Sequence, residues 1–123
     1  MPEYWSFRSD WCTVTVMNLH LITLHAMPSA QAVPLAAAFI KAYLDQAPAL
    51  QGKVSVTTAE FYCGTPLEQL VASINEQQPD IVGLPVYVWN RLECCKLITM
   101  LRQQYPDLLL IAGGPEATAD TAR

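Results

Sequence analysis

The segment Asp80-Ile-Val-Gly-Leu-Pro-Val-Tyr-Val-Trp-Asn90 is an almost uninterrupted apolar run that follows a proline and ends in aromatics and an amide. A strand with one wet face alternates polar and apolar residues, so a run without alternation describes a strand covered on both faces. That is the condition of a central strand in a parallel sheet packed between helices. In open sheets of this kind the ligand crevice lies beyond the carboxyl ends of the strands. Leu84 to Asn90 are therefore the first residues to consider as a binding wall.

The rest of the chain supplies matching partners. Asn18 to Leu24 has the Leu, Ile and Thr enrichment of a strand and runs into the small-residue loop His25 to Ala32. Pro34 fits the first turn of a helix, in which Leu35, Phe39, Ile40, Tyr43 and Leu44 recur at helical spacing up to Pro48. Lys53 to Phe61 alternates as a second strand, and Cys63-Gly64 makes the turn. Thr65-Pro66-Leu67-Glu68 has the spacing of a capping box, and Leu67, Leu70, Val71 and Ile74 form the buried stripe of the helix it opens. Asn90 is placed to cap a third helix over Arg91 to Tyr105, with Glu93 reaching back. Leu108 to Ala112 is a fourth strand, followed by the turn Gly113-Gly-Pro-Glu116 and a short Ala/Thr segment.

A β-α-β-α-β-α-β series with short connections specifies right-handed crossovers and a parallel sheet. Of the two common strand orders, the dinucleotide-binding type carries Gly-x-Gly-x-x-Gly in its first turn, and that turn here has no glycine. The expected architecture is thus an α/β, flavodoxin-like (Rossmann-like) three-layer sandwich of order 2-1-3-4(-5). The fifth strand and last helix of that order are missing, so the chain reads as a piece truncated after its fourth strand. Residues 1–17 carry Tyr4, Trp5, Phe7 and Trp11 without helical or strand period and are expected to be an arm or upstream extension. Residues 18–123 form the domain.

Composition removes several function classes. The 123 residues are 52% hydrophobic, enough for one core, and carry a formal charge of −4 with no Lys/Arg cluster. Such a chain lacks the electrostatic footprint that nucleic acid or an anionic membrane requires. No apolar stretch reaches the roughly 20 residues of a membrane span, and no export signal is evident, so a cytoplasmic location is expected. Among the four cysteines, Cys12, Cys63, Cys94 and Cys95, no pair has the two-residue gap of a zinc or thiol-exchange motif. Cys95 shares a helical register with Leu92, Ile98 and Leu101 and reads as a small core residue.

Three segments converge at the carboxyl edge: His25 to Ala32, Leu84 to Asn90, and Gly113 to Glu116. They carry little reactive chemistry. His20, inside the first strand, reads as a strand residue; His25, at its exit, is a candidate to touch a ligand, but neither lies beside a nucleophile in a recognisable motif. Glu116 is the only carboxylate in the three loops, and the dipole of a helix beginning after Gly-Gly-Pro also accounts for it. No catalytic residue and no protein-held metal is assigned. A phosphoacceptor receiver would need clustered acids after the first strand and an Asp after the third, where Leu24-His25 and Val86-Tyr87 stand. A flavodoxin phosphate loop would want more than Ser29. What remains is a wide apolar crevice bearing an amide and a glycine pair that permits close backbone approach, suited to a large flat cofactor.

Pro79-Asp-Ile-Val-Gly83, Tyr87-Val-Trp-Asn90 and Gly113-Gly-Pro-Glu116 together resemble the N-terminal cobalamin-binding domain of cobalamin-dependent radical S-adenosylmethionine enzymes, over roughly Asn18 to Asp120. The resemblance implies cobalamin contacts from His25, Met27, Ser29, Leu84, Pro85, Tyr87, Trp89, Asn90, Gly113, Gly114, Pro115 and Glu116. It also implies a following barrel in cis that holds an iron–sulfur cluster and S-adenosylmethionine in a longer parent of methyltransferase type. The Cys-x-x-x-Cys-x-x-Cys motif of that barrel is not in this sequence. Other cobalamin domains place Asp-x-His-x-x-Gly after the first strand; the matching positions are Met27, Ser29 and Ala32. The resemblance therefore implies cobalamin with its own base displaced and no protein imidazole on cobalt. Pro85 stands near a family position that often offers a hydroxyl, and Tyr87 and Trp89 suit either corrin contact or burial against neighbouring elements. An interaction or scaffold domain that has lost its cofactor is the alternative reading.

Overall fold

A computed structural model of the chain describes residues 16–121. The arm expected over residues 1–17 thus falls, as far as residue 15, outside the described residues, together with Cys12. The elements are β1 (Met17–His25), α1 (Leu35–Gln46), β2 (Val54–Tyr62), α2 (Leu67–Gln77), β3 (Ile81–Pro85), α3 (Arg91–Gln104), β4 (Leu109–Gly113) and α4 (Pro115–Thr121), with a single 3₁₀ turn at Pro48–Leu50. All strands are parallel in the order β2-β1-β3-β4. This is the flavodoxin-like order expected from the sequence.

Topology distributes the helices. The chain steps from β1 outward to β2, then back across β1 to β3 and on to β4. Right-handed crossovers therefore put α1 on one face of the sheet and α2 and α3 on the other. The larger core lies on the second face, where Ile22, Leu24, Val82 and Leu84 meet Leu70, Val71 and Ile74 of α2 and Cys94, Leu97 and Leu101 of α3. Fully enclosed side chains such as Ile22, Ile74 and Leu97 each contribute about 1.5–3 kcal/mol relative to exposure. On the α1 face a smaller cluster joins Leu21, Ala37 and Val56.

Several sequence expectations are corrected here. β1 begins at Met17, one residue earlier than expected, because Met17 N–H already donates to Lys53 O at 2.7 Å. β3 stops at Pro85, so only the first half of the apolar run is strand and Val86 to Asn90 form the following loop. Of the stripe expected for α1, Leu35, Phe39, Ile40 and Tyr43 are exposed and only Leu44 faces the sheet. Phe39 (67% exposed) and Tyr43 (75% exposed) point outward, while Ala37 and Leu44 meet the sheet, since a small residue lets the helix lie close. In α3 it is Cys94, not Cys95, that is buried, with Cys95 and Leu92 exposed. Neither expected cap forms through its side chain: α2 and α3 begin without a side-chain cap hydrogen bond, and Thr65 Oγ1 instead accepts from Tyr62 N–H at 3.3 Å. The terminal Ala/Thr segment, given no structure from sequence, is α4.

His20 lies on the α2/α3 face and is 1% exposed, as a strand residue would be. Its Nδ1 is 2.7 Å from Thr57 Oγ1, while its Nε2 has no partner among the described residues. Burial pushes its pKa below the ordinary 6.5, only partly opposed by the bond to Thr57. The folded state thus favours neutral imidazole, and below pH 6.5 the unfolded chain binds the extra proton. Stability is expected to fall as the pH drops from about 7.5 to about 5.5, and His20→Gln should show a shallower loss in the urea midpoint over that interval. Equal slopes in the two proteins would refute the assignment.

Candidate functional site

The carboxyl edge of the sheet is not uniformly laced. The β1–β2 ladder runs the full length of both strands to His25↔Tyr62, and β3–β4 runs to Pro85↔Gly113. Between β1 and β3 the ladder has three positions and ends at Leu21↔Gly83. The two central strands therefore part at their carboxyl ends, at the point where the strand order reverses, which is where ligands enter open α/β sheets. Pro85 explains the opening. Val86 N–H donates to Gly113 O at 2.7 Å, so by the alternation of a β-strand the ring nitrogen of Pro85 faces β1 and has no hydrogen to give. The residue that offers no donor is the one that unlaces the seam.

The loop beyond β3 carries the aromatics. Tyr87 and Trp89 are stacked, with ring centroids 4.4 Å apart and planes 5° from parallel. Trp89 remains 49% exposed, so the pair presents a flat apolar surface at the mouth of the seam. Asn90 is turned inward and is fully buried, and its amide is bonded to Tyr87 N–H, Leu24 O and Pro85 O. Leu84 is likewise enclosed in the main core. These two of the expected residues support the wall from behind.

On the far side of β3 the two glycines differ. Gly114 has φ +94°, and a Cβ there would lie 2.7 Å from Val86 O and 3.1 Å from Val86 N. Its role is close packing of two protein backbones, reinforced by Glu116 N–H donating to Val86 O at 3.3 Å. A Cβ on Gly113 would meet nothing within 4 Å. Pro115 opens α4, and Glu116 in its first turn accepts from Arg91 at 3.1 Å, tying the starts of α3 and α4 together.

The β1 side is polar. His25 Nε2 and Glu60 Oε1 are 2.9 Å apart, and the His25 and Tyr62 rings lie 5.7 Å apart. Met27 and Ser29 are exposed in the loop, where Ser29 Oγ accepts from Gln31 N–H at 3.1 Å. Thr23, two residues beyond the last β1–β3 rung, is buried with no partner for its hydroxyl among the described residues. Sequence reasoning missed it, because one threonine in a strand carries no signal until the ladder is seen to end beside it. The thiols nearby stay protonated. Burial, with Glu93 adding, pushes the Cys63 thiol up, and burial first, then Cys95, Cys63 and Glu93, pushes Cys94 up to about 12. Cys63 Sγ sits 3.5 Å from Trp89 O as a weak donor.

A parallel flavodoxin-like sheet whose two central strands part at their carboxyl ends has the architecture of a cofactor domain. The model of the B12 binding domain family matches residues 26–123, and the chain belongs to that family. It is 28% identical over 98 residues to the 2-(S-pantetheinyl)-carbapenam-3-carboxylate methyltransferase of Streptantibioticus cattleyicolor, covering 80% of this chain and 14% of that protein. It is 29% identical over 83 residues to the cobalamin-dependent radical SAM methyltransferase TokK of Streptomyces tokunonensis, covering 68% of this chain and 12% of that protein. The chain thus spans a small part of the length of these relatives. No described helix is long and apolar enough to cross a membrane.

Proposed function

We propose that this chain is the cobalamin-binding module of a larger radical S-adenosylmethionine enzyme of methyltransferase type, and that it holds cobalamin without a protein histidine on the cobalt. The observation that carries the reading is the unlaced β1–β3 seam with the Tyr87–Trp89 pair at its mouth. A parted strand end edged by a flat apolar surface suits a large planar cofactor with an extended tail. The partnerless Thr23 hydroxyl offers that ligand a polar contact, and the open space over Gly113 admits it close to the backbone. Tyr87 and Trp89 supply apolar contact, and the loop residues Met27 and Ser29 and the α4 start at Pro115 and Glu116 border the same edge.

The absence of a histidine ligand is supported by what the imidazoles do. His20 is enclosed on the α2/α3 face, and His25 is engaged with Glu60 on the neighbouring strand. When bound, cobalamin supplies a carrier for a methyl group, while the iron–sulfur cluster and S-adenosylmethionine belong to a barrel in cis in the longer protein. The residues of this chain bind and orient. Burial pushes the Cys63 and Cys94 thiols up and Glu116 is paired to Arg91, which supports a role in binding over one in nucleophilic or acid–base chemistry.

Titration with hydroxocobalamin, followed by the visible spectrum, is expected to show saturable binding. A folded protein that leaves the spectrum unchanged would favour the scaffold alternative. Thr23→Val, nearly isosteric, is expected to weaken binding about 5- to 10-fold with the fold intact. The electron paramagnetic resonance spectrum of the Co(II) form should be insensitive to isotopic nitrogen labelling of the protein. Superhyperfine splitting that changes on such labelling would overturn the histidine-free assignment.

A further inference from the structure

We infer that Asn90 is a positioning residue: its buried side chain spans the open seam between β1 and β3 and holds the Tyr87–Trp89 pair at the crevice mouth. The amide leaves no choice of orientation. Tyr87 N–H can only donate, so the atom 2.8 Å from it is Oδ1, and Leu24 O and Pro85 O can only accept, so the nitrogen 3.1 Å from each is Nδ2. Both amide hydrogens and one lone pair are thereby used at full burial. The two carbonyls are those that stand beyond the last β1–β3 rung, one on each strand. Asn90 replaces a missing piece of ladder with a side chain.

The same residue sets the loop. Asn90 N–H donates to Tyr87 O at 3.2 Å while Oδ1 takes Tyr87 N–H, so residues 87–90 close into a turn pinned at both ends. Trp89 is the residue just inside that turn, and its stacking on Tyr87 follows from the turn's closure. Asn90 also leads the buried stripe Cys94, Leu97 and Leu101 at helical spacing, so seating the amide fixes the rotation of α3. One side chain thus couples the ends of β1 and β3, the phase of a helix and the aromatic surface. This assignment rests on the cobalamin reading only for its consequence for binding; its geometric content is separate.

The test uses the 123-residue chain with Trp5→Phe and Trp11→Phe, which leaves Trp89 as the single tryptophan. Asn90→Asp keeps the acceptor for Tyr87 N–H but sets a carboxylate oxygen against two carbonyls, and Asn90→Ala removes all three bonds. Both are expected to lose most of the near-ultraviolet circular dichroism of Trp89 while the far-ultraviolet spectrum is retained, and to bind hydroxocobalamin about 10-fold more weakly or worse. Ile74→Val, a core change in α2 away from the crevice, should alter neither, which separates positioning from general loss of stability. Retention of both the Trp89 signal and the affinity in the Asn90 variants overturns the inference. Should the variants not fold, hydrogen exchange in the unsubstituted chain decides: slowly exchanging Asn90 carboxamide protons and a protected Tyr87 amide support the clamp, and free exchange of the carboxamide overturns it. If the unsubstituted chain fails to bind hydroxocobalamin, the cobalamin reading falls while the Trp89 and exchange measurements still judge the clamp.

Discussion

Replacing Gly114 by valine is expected to destabilise the fold by about 3 to 5 kcal/mol, read as a large fall in the urea midpoint. Two costs add. At φ +94° an L side chain is strained, and the new Cβ would sit 2.7 Å from Val86 O, a backbone atom that cannot rotate away. Relief requires the loops after β3 and β4 to separate, which removes the bonds from Val86 N–H to Gly113 O and from Glu116 N–H to Val86 O. Gly113→Ala is the informative contrast. Nothing lies within 4 Å of its Cβ, so its stability should change little while its methyl intrudes on space assigned to the ligand. A Gly114→Val protein as stable as its parent would show that the two loops are not held together as described.

Trp89→Ala is expected to reduce hydroxocobalamin affinity about 30-fold or more, the loss of one large aromatic contact at a binding surface. Trp89→Phe should recover part of it, because a flat apolar face is kept. Since Trp89 is about half exposed, the fold should tolerate either change, and far-ultraviolet dichroism should be unaltered. Affinity that is indifferent to Trp89 would remove the aromatic pair from the site and favour burial against another part of the longer protein.

Much of the fold is written in local pattern. The apolar runs around Ile81 and Leu109 and the stripe Leu70, Val71 and Ile74 are legible because parallel strands and their covering helices bury residues at fixed periods. Helix α1 misleads because the residue it buries is the small Ala37, whereas the bulky Phe39 and Tyr43 sit outside and Leu44 alone of the expected stripe packs inward. The phase of α3 differs by one residue from the expected one for a related reason: a buried polar residue, Asn90, leads its inner stripe, and periodicity that counts only apolar residues passes over an amide. That the run ends in an aromatic pair, Tyr87 and Trp89, is legible in the sequence. That Leu84 and Asn90 lie buried behind it is not, since which side chains of a strand end turn inward depends on a register between β1 and β3 that only the folded chain shows. Pro85 illustrates the same limit, for its missing N–H matters through the strand it faces.

A sheet whose central pair is bonded at one end and parted at the other is mechanically graded. The amino ends of β1 and β3 share the ladder and the enclosed core around Ile22, Val82 and Leu97, and should open only with the whole domain. At the carboxyl ends the side chains of Leu24 and Leu84 still sit in that core, while the two backbones are bridged through the amide of Asn90. Where a single proline stands thus sets how far the central seam is bonded.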